Sequence, residues 1–312
     1  MKRAATHAGS WYTRHKDSLD HELDTYFEKA DINPLKGVRA IIGPHAGLRF
    51  SGPTAAYAYK SIDTTGLKRV FILGPSHHAY IDGCSLSKCL AYKTPLGELR
   101  LDRQVIEELH QTGHFDFMSE TVDHDEHSIE MHLPYVYKIF ESLIDDIQIV
   151  PILVGSIRHQ QEKAYGELLA PYLNDPQNLF IISSDFCHWG TRFNYTYYRP
   201  QKDQDPIRLS RHHEALSCPI HESIKDLDLE GIHLLKNLES DKFQAYLTQT
   251  RNTICGRHPI GVLMAAIDHL RQKEHLPEPE IKCVHYEQSS QCKEVKDSSV
   301  SYASIYFQFK QG

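Results

Sequence analysis

A chain of 312 residues, 40% apolar and 24% charged, with a formal net charge of −7, has the make-up of a globular protein able to bury a sizeable core. The acidic balance argues against nucleic-acid binding, which needs a basic stripe, and no apolar run approaches the roughly 18 residues of a membrane span. The N-terminus, MKRAATHAGSWY, lacks the apolar centre of a signal peptide, so the expected compartment is the cytoplasm, with the nucleus as a further one.

In chain order, the first apolar run is Val38–Ile42, followed by a helical pattern over Pro53–Lys60 whose proline suits a first helical turn. Val70–Leu73 is the second run. Leu101–His110 then places Val105 and Leu109 on one helical face. Ile147–Val154 and Leu179–Ile182 are the third and fourth runs, separated by a helical pattern over Glu162–Ala170. None of the four runs has a polar face, which predicts strands covered on both sides. Tyr198–Asp228 is charged and holds Pro200, Pro206 and Pro219, so about 199–228 is expected to be a long surface loop or insertion. Beyond it, Ile260, Leu263, Ile267 and Leu270 recur at helical spacing behind Pro259, and Ser299–Phe309 alternates as a last strand. Alternating strands and helices predict one α/β domain over 1–312, with a central, largely parallel sheet and helices on both faces. No Pro/Gly/Ser linker divides the chain.

Polar chemistry gathers where the strands end. IIGPHAG places His45 just past the first run, FILGPSHH places His77 and His78 past the second, and FIISSDFCHWG places Asp185, Cys187 and His188 past the fourth. Ligands bind at the carboxyl ends of strands in open α/β sheets, so these residues are expected to share one site. The chain has 21 histidines, so a single one carries little weight; the convergence of three strand ends carries more. In DHDEHSIEMHLPY (123–135), Asp123 and Glu126 have capping-box spacing, and a helix there sets Glu126 and Glu130 on one face beside His127. Cys255-Gly256 precedes the helix near Pro259, a position that favours the thiolate.

Several classes of chemistry are excluded. The chain has no G-x-S-x-G elbow, phosphate-binding P-loop or G-x-G-x-x-G turn, and no P-C-x-x-C partner for a zinc deaminase. Its seven cysteines are odd in number and form no C-x-x-C pair, which suits reduced thiols. Two histidines with one anionic ligand and open positions is the layout of non-haem iron sites, and a thiolate in that set widens the choice to copper or zinc.

Eight blocks carry a resemblance to a known family: HAGSWY (7–12), PHAG (44–47), FILGPSHH (71–78), DEHSIEMHLPY (125–135), SSDFCHWG (183–190), NTICGRHPIGVL (252–263), QSSQC (288–292) and DSSVSYA (297–303). Together they resemble the Memo family (mediator of receptor-driven cell motility) nearly end to end. That resemblance implies a fold like the class III extradiol dioxygenases and metal ligands at His45, His77 and Cys255. It also implies iron or copper rather than zinc, and a redox or signalling role linked to the cytoskeleton, growth or motility. Asp185 and His188 would lie around the pocket as acid/base groups, with His127, His132 and Glu130 as further pocket candidates. His78 would be a neighbour of the ligand His77. The alternatives are a dioxygenase acting on a small aromatic substrate and a phosphotyrosine-peptide adaptor without catalysis. Cysteine in place of the dioxygenases' carboxylate tilts the balance toward the redox role.

Overall fold

The computed structural model describes residues 1–201, 204–210, 216–273 and 278–309. In chain order the elements are β1 (Lys2–Arg3), α1 (Lys16–Lys29), β2 (Val38–Gly43), α2 (Leu48–Lys60) and β3 (Arg69–Pro75). Short elements follow: β4 (Cys84–Leu86), β5 (Ala91–Lys93), β6 (Glu98–Leu101), α3 (Arg103–Gln111), β7 (Phe115–Phe117) and α4 (Glu120–Asp125). A 3-10 turn at Glu130–His132 leads into α5 (Leu133–Ile139), then β8 (Gln148–Val154), α6 (His159–Asn174) and β9 (Asn178–Ser183). The remainder is β10 (His188–Trp189), β11 (Tyr197–Tyr198), β12 (Ile207–Arg208), α7 (Ile220–Lys236), α8 (Ser240–Thr250), α9 (Arg257–Gln272), β13 (Glu280–Gln288) and β14 (Ser299–Gln308).

The four apolar runs form the middle of the sheet. β8, β3, β9 and β2 lie side by side, all parallel, and nearly every residue in them is buried. β14 seals one side antiparallel to β2, and carries β13 and β10. On the other side β6 pairs β8, with β5 and β1 beyond it. The result is a single α/β domain with a large mixed, mostly parallel sheet flanked by helices, as the strand–helix alternation predicts. On α9 the spaced residues Ile260, Leu263, Ile267 and Leu270 are all buried, each worth about 1.5–3 kcal/mol. Gly166 on α6 lets the two helices touch: a Cβ there would stand 2.5 Å from Ala265 Cβ. No helix among the described residues is long and apolar enough to cross a membrane.

Three local expectations change. α2 begins at Leu48, five residues before Pro53, because Leu48 N–H donates to the Trp11 carbonyl and starts the helix earlier. The helix expected from Asp123 is absent. Ser119 caps α4 instead, its side chain accepting from Val122 N–H, and the helix stops at Asp125 because Glu126 is extended. In the stretch 199–228, residues 220–228 are the first half of α7, with Ile220, Ile224 and Leu227 buried, rather than loop. Residues 202–203 and 211–215 of that stretch lie outside the described residues.

The register explains why the strand ends meet. Gly43 pairs with Ser183 and Leu73 with Ile182, so β2, β9 and β3 end at the same edge. Two residues beyond each strand lie His45, Asp185 and His77.

Candidate metal centre

His45 is buried, and its neighbours fix its protonation. Its backbone N–H donates to Asp185 Oδ1 at 2.8 Å, and its Nδ1 lies 2.6 Å from Ser183 Oγ. Ser183 has one hydroxyl proton, which it donates to the Ser128 carbonyl at 2.7 Å. Ser183 Oγ must therefore accept from His45 Nδ1–H, leaving Nε2 unprotonated. That nitrogen stands 3.3 Å from Cys255 Sγ.

His77 is held by Glu126, the residue that leaves the helix. One carboxylate oxygen accepts the His77 backbone N–H at 2.7 Å, and the other faces His77 Nδ1 at 2.9 Å. The second oxygen also accepts Ser128 N–H at 2.9 Å. A carboxylate on Nδ1 is the usual partner of a metal-binding imidazole, because it fixes the ring and turns Nε2 outward.

His127 completes the group. Its ring stacks on His77 at 4.4 Å between centroids and lies tilted by 31° against Trp11 at 4.3 Å. One ring nitrogen from each of His45, His77 and His127 lies within 4.8 Å of the others. His127 Nδ1 is buried without a hydrogen-bond partner, a state that ordinarily costs about 1–3 kcal/mol. Glu126 Oε1 lies 3.6 Å from that nitrogen, and three imidazoles with a thiol beside them fit a borderline transition-metal ion. The His45 Nε2 to Cys255 Sγ separation also suits two donors on one ion, for which about 3.6 Å is expected at the tetrahedral angle.

The electrostatics divide the three rings. Burial, reinforced by the neighbouring imidazoles, holds His45 well below its ordinary range and His127 down to about 3. Burial also opposes charge on His77, but Cys255 and Glu126 outweigh it and lift the ring to about 10. The thiolate expected at Cys255 from its place before a helix is not favoured by the fold itself, because burial pushes the thiol up, with His77 opposing. Two rings thus present free lone pairs, while the third holds the proton that an ion would displace.

A cavity of about 540 Å³ opens over the group, with His45, His77, His127, Asp185 and His188 in its wall. His188 Nδ1 lies 3.0 Å from the Phe186 carbonyl and 3.1 Å from the Thr253 carbonyl. Carbonyls only accept, so Nδ1 carries the proton and Nε2 is the basic nitrogen. Asp185 is buried, which raises its pKa, with His188 and backbone N–H donors opposing. Trp11, Phe50, Phe193 and Arg192 form the aromatic and cationic part of the wall, and the Arg192 guanidinium sits 4.4 Å from the Phe193 ring centre.

The expected residues divide. His45, His77, Cys255, Asp185, His188 and His127 come together. His78 stays exposed, 5.6 Å from the His127 ring. His132 lies outside the cavity wall, its Nδ1 2.6 Å from the Tyr59 hydroxyl. Glu130 also lies outside it, buried under the N-terminal segment, where Arg3 at 2.6 Å, Tyr12 at 2.8 Å and His7 at 2.8 Å converge on its carboxylate. Trp11, Ser183 and Arg192 belong to the site without being singled out in the sequence, and Glu126 belongs to it in a different role from the one expected. The sequence offers Glu126 only as a capping-box and helix-face carboxylate, and the other three depend on tertiary contacts.

The sequence matches the family described as Memo-like protein over residues 3–306. It is 47% identical over 302 residues to Protein MEMO1 of Xenopus tropicalis and 45% identical over 302 residues to Protein MEMO1 of Homo sapiens. In each case the match covers 97% of this chain and 96% of the relative. Protein memo-1 homolog of Caenorhabditis elegans is 43% identical over 303 residues, covering 97% of this chain and 81% of that protein.

Proposed function

The chain belongs to the Memo-like protein family, and from that premise we propose that it is an iron- or copper-binding protein with a redox or signalling role. The observation that supports this reading is the convergence of His45, His77 and His127 within 4.8 Å, with Cys255 Sγ 3.3 Å from His45. His45, His77 and Cys255 would hold the ion, with His127 as a further donor. A bound iron or copper ion supplies one-electron redox chemistry, which zinc does not. The chain's own residues set the stage: Ser183 and Glu126 aim two ring nitrogens inward, and the Phe186 and Thr253 carbonyls keep His188 Nε2 basic. With the link to cytoskeleton, growth and motility that the resemblance implies, the proposed place of this role is the cytoplasm, with the nucleus as a further one.

Two observations favour secondary readings. The basic His188 Nε2 at the cavity wall suits proton abstraction from a small aromatic substrate, as in an extradiol-type dioxygenase. The Arg192–Phe193 pair at the same wall suits a phosphotyrosine peptide.

Metal analysis of anaerobically purified protein tests the main reading: iron or copper is expected, and is lost in His45→Ala and Cys255→Ser. Wild-type metal content in both variants would refute the ligand set. Oxygen uptake with a catechol panel separates the dioxygenase reading, and unchanged peptide binding by metal-free protein would favour the adaptor.

A further inference from the structure

A second cavity, of about 640 Å³, adjoins the first, and the two share Trp11, Gly47 and Phe50. Two arginines, Arg14 and Arg49, line it beside His15, against one carboxylate, Glu22. Glu22 is already engaged, accepting the Tyr26 hydroxyl at 2.7 Å. Neither arginine is ion-paired or hydrogen-bonded through its side chain to any described residue. Arg49 lies over the Phe50 ring at 4.3 Å, and Arg14 packs over Gly9. In a chain with 41 acidic and 34 basic residues, two guanidinium groups against one carboxylate in one concavity leave a local positive field that favours an anion.

Arg14 is seated rather than free. Gly9 has φ +96°, a conformation that favours glycine, and a Cβ there would collide with the guanidinium. Helices α1 and α2 both begin at this cavity without a side-chain cap, which adds potential of the same sign.

We infer that this cavity is an oxyanion site. It takes a small molecule ending in a phosphate or carboxylate group, held by Arg14 and Arg49, with its apolar part against Trp11 and Phe50. A guanidinium offers paired N–H donors matched to either group. The shared wall lets the rest of such a molecule reach the metal pocket. The binding itself does not depend on an ion being present there.

Trp11 and Trp189 are the two tryptophans, and Trp189 is fully buried, so emission changes on ligand addition report Trp11. Full-length protein is titrated at constant ionic strength with inorganic phosphate and, separately, with succinate, against chloride. A saturable response to at least one oxyanion is expected, and the responding anion identifies the group. The double variant Arg14→Gln/Arg49→Gln should bind about tenfold or more weakly, with metal content unchanged. Should the double variant fail to fold, Arg49→Gln alone, on an exposed side chain, should weaken binding severalfold. The inference is overturned if neither anion gives a saturable response, or if the folded variants bind as well as wild type.

Discussion

Glu126 grips His77 at two points, through the backbone N–H at 2.7 Å and through Nδ1 at 2.9 Å. One carboxylate thus fixes the loop after β3 and the orientation of a ring beside Cys255. Burial works against its charge, but His77 and the backbone N–H groups of His77 and Ser128 hold Glu126 down to about 2.

Glu126→Gln keeps the shape and removes the charge. The amide can still accept one bond, but His77 loses its anionic partner. Metal affinity is expected to fall about 10–100-fold, measured by titration against a competing chelator. Unchanged affinity would mean that Glu126 does not orient the ring for binding.

Glu130 anchors the N-terminal segment from beneath. Burial favours its neutral form, but His7 and Arg3 prevail and depress its pKa from the usual 4.5 to about 2. The folded chain therefore binds this proton less readily than the unfolded one. The stabilisation is complete above the unfolded value and is lost as the pH falls from about 4.5 through about 2, amounting to about 3 kcal/mol. Glu130→Gln leaves Arg3 buried against one fewer carboxylate and should destabilise the protein by about 3–5 kcal/mol at neutral pH, read from urea unfolding. A loss below about 1 kcal/mol would contradict this account of the anchor.

Asp228 behaves in the opposite sense. It accepts Cys187 N–H at 3.2 Å and Asn252 Nδ2 at 3.0 Å on one oxygen, and the Tyr286 hydroxyl at 2.9 Å on the other. It therefore ties together the segments that carry His188 and Cys255. Burial raises its pKa from 3.8 to about 6, with bonds from Ser301, Asn252, Tyr286 and Cys187 opposing. Here the folded chain holds the proton more tightly than the unfolded one. Its contribution is full below about 4 and declines by about 3 kcal/mol as the pH rises to about 6. Asp228→Asn should remove that slope between pH 4 and 6, seen in urea midpoints; an identical slope in the variant would exclude Asp228 as its source.

Much of the frame was legible because it rests on local pattern. Val38–Ile42, Val70–Leu73, Ile147–Val154 and Leu179–Ile182 are apolar apart from Arg39 and Gln148 near two of their starts, as strands buried on both faces require. The three histidine- or aspartate-bearing loops at their ends were legible for the same reason. Glu126 was harder to place: its spacing from Asp123 mimics a capping box, yet its carboxylate serves His77, 49 residues away in sequence. Trp11 and Ser183 act through contacts that no spacing reveals. The first half of α7 carries a helical signal, with Ile220, Ile224 and Leu227 at helical spacing, but a dense covering of charge and the prolines around it mask that signal.

The central claim is that imidazole and thiolate from distant parts of the chain hold one ion. X-ray absorption at the iron or copper edge of the purified protein tests it most directly. The account predicts nitrogen scatterers together with one sulfur at about 2.3 Å, the sulfur vanishing in Cys255→Ser. A first shell of nitrogen and oxygen alone in the wild-type protein would contradict it.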